Sequence, residues 1–179
     1  MLLLAGAVPA EDLPLLLGPV AYTATGISID GHDLPINRGN EAMMTAACIV
    51  CKVYGMDPPV GMVAGDIGKR AGSEAIYNHL AERLPEMGAK VMTLHYVMPD
   101  LKLNKKVLAT IDTMTDKPAM IADAGSMYVA KAGGDSRYYD VFTPDLGETA
   151  FLADDKADHP SFTRGFIFNM EDDLSLIHI

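Results

Sequence analysis

Near the end of the chain, Thr143, Pro144, Asp145, Gly147 and Glu148 bring together residue types that handle phosphate and metal chemistry. Pro144 holds Thr143 extended, so the apolar strand around Val141 and Phe142 must stop there. Asp145 then falls at a helix N-cap, with Glu148 at the capping-box spacing, which puts two carboxylates at a positive helix terminus. Such a pair either caps the helix and nothing more, or holds a cation beside a phosphate. Further acids and glycines follow the other apolar segments: Gly65, Asp66 and Gly68, then Pro99 and Asp100, then Asp123, Gly125 and Ser126. Glycines let a backbone approach polyphosphate closely, and carboxylates or their waters bind magnesium, although Asp and Gly are also ordinary turn residues.

These segments alternate in period. The pattern predicts strands at Leu2 to Val8, Val60 to Ala64, Lys90 to Met98, Pro118 to Ala122 and Val141–Phe142. Between them it predicts helices from Glu41, from Ser73 (as N-cap) to Leu84, from Leu101 to Met114 and from Ser126 to Ala132. The helix from Glu41 is so apolar that it reads as buried on most faces. Asp30-Gly31 between extended pieces marks a hairpin. The expected fold is α/β: a mostly parallel sheet with helices on both faces and an added N-terminal β-hairpin. Ligands of such sheets bind outside the carboxyl ends of the strands, where the acids and glycines collect.

Composition narrows the partners. The 179 residues are 49% apolar and 21% charged, ordinary for one globular domain, and the net charge of -10 opposes binding to nucleic acid or anionic membrane. No apolar run is long enough to span a membrane, and the apolar start lacks a basic leader, so a cytoplasmic protein is expected. Cys48 and Cys51 fall inside an apolar helix and read as buried thiols. His79 reads as a core or boundary residue, and His95 as a lone histidine near the rim. Walker A and G-x-G-x-x-G patterns are absent.

The order of motifs resembles the ribokinase-like superfamily. INRGNEAMMTAACIVCKVYG and VAGDIGKRAGSEAIYNHL are similar to the N-terminal signature of its carbohydrate kinases, with Arg38-Gly39 at the family's glycine pair. FTPDLGETAFLAD resembles their Thr-Pro-Asn-x-x-Glu segment, with Asp145 in place of Asn. It is equally close to the Thr-Pro-His-Pro-Gly-Glu segment of NAD(P)H-hydrate dehydratases in the same superfamily, and IADAGSMY is similar to the latter's Asp-Ala-Asp segment through Asp123.

The resemblance implies a three-layer ribokinase-like fold and a magnesium-dependent phosphotransferase that uses ATP or ADP on a sugar or small alcohol. A nucleotide-dependent NAD(P)H-hydrate dehydratase is the alternative, and a non-catalytic nucleotide-binding protein the second alternative. Thr143, Asp145, Gly147 and Glu148 would form the nucleotide side, with Glu148 on magnesium through water and Asp145 beside it. Gly39, Asn40, Gly65, Asp66 and Asp123 would form the substrate side. The expected partners are a small-molecule substrate and a nucleotide, with self-association into a homo-oligomer left open. Both branches carry a downstream Gly-x-Gly-Asp segment, which does not occur after Glu148. Residues 1–172 are therefore read as one incomplete domain with little turnover of its own, and the last seven residues, DLSLIHI, as a non-native tail.

Overall fold

The computed structural model describes residues 1–36 and 39–154; Arg38 and the proposed tail lie outside them. The central sheet has six strands. Leu2–Val8 (β1) sits in its middle, flanked by Val60–Gly65 (β6) on one side and Val91–His95 (β7) on the other, followed by Ala119–Ala122 (β8) and Val141–Phe142 (β9). All of these pair in parallel. Leu16–Pro19 (β2) adds an antiparallel edge beside β6. This strand is not expected from the pattern: it is four residues long and ends in proline, a residue that only a sheet edge tolerates.

A second, antiparallel sheet combines Ala21–Tyr22 (β3), Gly26–Ile29 (β4) and His32–Pro35 (β5). Asp30 and Gly31 join β4 to β5, both at positive φ (49° and 76°), as the expected two-residue hairpin turn requires.

The helices are Asn40–Val53 (α1), Ala71–Met87 (α2), Leu101–Thr113 (α3), Gly125–Gly133 (α4) and Leu146–Ala153 (α5). Because side chains alternate along a strand, β1 faces two cores. Leu3 and Ala5 join Ile76, Tyr77, Leu80, Leu84, Val107, Leu108 and Ile111 from α2 and α3. Leu4 and Val8 join Ile27, Ile29, Met44 and Cys48 from the small sheet and α1. The sheet is thus covered on both faces, as expected for parallel strands. From β1 the chain steps to β6 on one side and then returns past β1 to β7, so the direction of winding reverses at β1.

Two expectations are corrected. Helix α1 is not buried on most faces: Ile49, Val50, Val53 and Tyr54 are exposed, Val53 and Tyr54 at 75%. It is an outer layer that touches the sheet along one stripe, and no described residue covers its back. Cys48 and Cys51, on the inner stripe, are buried free thiols as expected. Ser73 is not a cap either. Helix α2 starts at Ala71 after Arg70 in a left-handed conformation, which leaves Ser73 buried within the first turn. Among the described residues, no helix is long and apolar enough to cross a membrane.

Candidate functional site

The carboxyl end of β1 is shaped by a glycine. A Cβ on Gly6 would lie 1.9 Å from the His95 carbonyl oxygen and 2.4 Å from the amide atoms of Asn40. Its absence lets Asn40, the first residue of α1, lie directly on the sheet. Asn40 Nδ2 donates to the Ala7 carbonyl at 2.5 Å and to the His95 carbonyl at 3.2 Å, clamping β1 to β7. Gly39 makes the approach at φ 74°, where a side chain would meet the Tyr96 ring at 3.1 Å. Asn40 Oδ1 is left with no hydrogen-bond partner among the described residues, although Asn40 is only 1% exposed.

Glu41 is 4% exposed, and its Oε2 also lacks a partner among the described residues. Burial pushes its carboxyl above the usual range, against a smaller opposing effect of a backbone hydrogen bond. Asn40 and Glu41 line a cavity of about 440 Å³ with Val8, Asp66, Tyr96 and Met98.

Asp66, just beyond β6, has a different job from the one its position suggests. Its Oδ1 accepts from the Gly68 and Arg70 amides at 2.9 and 3.0 Å, and its Oδ2 from the Ser73 amide and hydroxyl at 3.1 and 2.7 Å. Burial pushes this carboxyl up, but the bonds from Ser73, Arg70 and Gly68 outweigh it and hold the group below the usual range. Asp66 thus organises the loop and the start of α2 while keeping its charge at the cavity wall. Gly65 serves packing: a Cβ there would lie 1.9 Å from the Ala10 carbonyl oxygen.

Farther along the rim, His95 Nε2 lies 3.4 Å from Asp123 Oδ2, within ion-pair reach but longer than a good hydrogen bond. Burial pushes the imidazole down, and the Asp123 carboxylate pulls it partly back. Its Nδ1 is buried without a partner among the described residues, and its ring lies against Tyr96 with centroids 4.3 Å apart. Asp123 Oδ1 accepts from the Ala124 amide at 2.8 Å.

At the β9–α5 turn the capping box forms in full. Asp145 Oδ1 accepts from the Glu148 amide at 2.8 Å and Glu148 Oε2 from the Asp145 amide at 2.9 Å. Tyr128 donates to Glu148 Oε1 at 3.2 Å. Burial raises the Glu148 carboxyl, and the charges of Asp145 and Asp123 add to this, against hydrogen bonds from the Asp145 amide and Tyr128. The Thr143 amide donates to the Ala122 carbonyl at 3.2 Å, and Gly147 lies in the first turn of α5. No three His, Cys, Asp or Glu side chains among the described residues stand close enough to hold a metal together.

The structure therefore brings Gly39, Asn40 and Asp66 to one cavity, and brings Asp123 and Asp145 each within electrostatic reach of Glu148. Glu41, Tyr96, Gly6 and His95 were not expected as site residues, whereas Asp123, which lies beside His95, was. The isolated glycine in an apolar strand and the single acid opening an apolar helix were the available signals.

The molecule is thus an α/β protein whose polar rim follows the carboxyl ends of a mostly parallel sheet. No family model and no solved structure matches the chain. A stretch of 111 residues, 62% of the chain, is 41% identical to the uncharacterized protein MJ1337 of Methanocaldococcus jannaschii. That stretch covers 43% of the archaeal protein, so the chain spans less than half the length of this relative.

Proposed function

We propose that this chain carries the acceptor side of a magnesium- and nucleotide-dependent phosphotransferase of the ribokinase type, acting on a small molecule with hydroxyl groups. The observation that carries this reading is that Asn40 and Glu41, each with a buried side-chain oxygen that has no donor among the described residues, line a cavity at the carboxyl end of β1. A buried acceptor without a donor is costly, so a ligand that donates O–H groups to both fits the cavity better than an acceptor-rich one. The place also agrees with the general rule for open α/β sheets, since the winding reverses at β1.

The nucleotide side falls on Asp145 and Glu148, with Asp123, expected on the substrate side, near enough to act on Glu148. Asp145 and Glu148, two carboxylates at the start of α5, are the residues that would meet a magnesium ion. Both Glu148 oxygens already accept hydrogen bonds, which favours contact through the ion's water shell over direct ligation. Bound magnesium supplies neutralisation of the phosphate charge. The chain's own part is to orient the acceptor alcohol through Asn40 and Glu41 and to hold the rim in place through the Asp66 and Asp145 turns.

The test is phosphoryl transfer from magnesium ATP or ADP to a panel of small alcohols, run on this chain and on the longer archaeal relative, with hydrated NADH offered in parallel. A phosphorylated alcohol is the expected product, weak from this chain and strong from the longer protein. Repair of hydrated NADH without alcohol phosphorylation would overturn the reading in favour of a dehydratase. Nucleotide binding with neither product would leave a binding protein.

A further inference from the structure

Among the described residues, the charge that lines the proposed acceptor cavity is unbalanced. Among its described lining residues are two acids, Glu41 and Asp66, one aromatic ring, Tyr96, and no lysine or arginine. The two acids are not equivalent. Both oxygens of Asp66 are taken, one by the loop before α2 and the other by Ser73 in the first turn of α2, so it contributes a fixed negative field. Glu41 has an oxygen without a donor and is 96% removed from solvent, by its 4% exposure. A neutral hydroxyl would give that oxygen a hydrogen bond yet leave the charge buried. A cationic N–H group supplies both the donor and the opposite charge. The Tyr96 ring, half exposed on the same cavity, offers a face for the same cation.

We infer that the acceptor molecule carries a cationic nitrogen, an ammonium or amidinium group, that docks between the Glu41 carboxylate and the Tyr96 ring while an adjacent donor meets Asn40 Oδ1. The inference rests on the reading of this cavity as the acceptor site and narrows it from alcohols at large to amino alcohols, amino sugars and their amidine relatives. Glu41 is then the residue that sets specificity. Asn40, which a neutral polyol would engage equally well, is not.

The experiment is calorimetric binding in the absence of nucleotide, with matched pairs as probes: glucosamine against glucose, 3-amino-1,2-propanediol against glycerol, and 2-aminoethanol against ethylene glycol. The cationic member of each pair is expected to bind about tenfold more tightly or better, and Glu41→Gln to reduce that ratio to about twofold. Tyr96→Leu should weaken the cationic members by about threefold while Tyr96→Phe retains them. These exposed-ring variants decide the matter if Glu41→Gln does not fold. Equal or tighter binding of the neutral members, a ratio that survives Glu41→Gln, or no binding by any cationic member would overturn the inference. Cation binding without phosphoryl transfer would overturn the proposed function alone. Transfer to neutral and cationic alcohols without preference would overturn only this narrowing.

Discussion

Two helix starts on the same rim present similar residues in opposite states. At the start of α5, Asp145 and Glu148 satisfy each other and the local backbone, and Tyr128 occupies the remaining glutamate oxygen. At the start of α1, Gly39 provides no side-chain cap, Asn40 spends its amide hydrogens on two strands, and Asn40 Oδ1 and Glu41 Oε2 are buried without donors among the described residues. The first arrangement is complete without a ligand. The second leaves two buried acceptors open among the described residues, which is the ground for proposing the acceptor role at α1 although the sequence motif stands out at α5.

That contrast can be broken at several points. The largest effect is expected from Gly6→Val, which would drive a side chain into the His95 carbonyl and the Asn40 amide. Urea unfolding should report a loss of about 3 kcal/mol, and the proposed acceptor binding should be lost with it. Asp66→Ala removes an acceptor that holds four donors at once and should cost about 2 kcal/mol at neutral pH. Because the folded-state Asp66 is held below its ordinary value, its contribution is present above about pH 4 and is lost as pH falls through the folded value. The variant should therefore show a shallower acid limb in the same titration.

Asp145→Ala dismantles the capping box and should cost about 1 kcal/mol. Glu41→Gln should be no larger in magnitude than Asp145→Ala and opposite in sign. The folded-state Glu41 carboxyl is raised above its ordinary value, so the folded protein binds the extra proton between that value and the raised one. Its contribution to stability falls as pH rises through that window, and the amide removes the fall.

Much of the architecture was legible because it rests on local rules. Asp30-Gly31 dictates its own turn, Asp145 and Glu148 lie one helical turn apart, and the alternation of apolar strands with helical segments specifies parallel pairing. What stayed hidden depends on contacts distant in sequence. The Asn40 clamp needs Gly6, Ala7 and His95 in register across two strands, and no spacing in the sequence encodes that meeting. Helix α1 looked enclosed because its outer stripe carries Ile49, Val50 and Val53, residue types that pattern analysis places inside. Ser73 looked like a cap because the true start of α2 lies at a left-handed arginine, a conformation that residue type seldom signals.

The central proposal is that Glu41 is held buried for a ligand and that its charge costs the fold stability. Its most direct test is urea unfolding of Glu41→Gln against the parent protein at pH 7 without ligand. A gain of about 1 kcal/mol is predicted, because a neutral amide is cheaper to bury than an unpaired carboxylate. A loss of similar size would show that the carboxylate is already partnered in the fold, and would contradict the account.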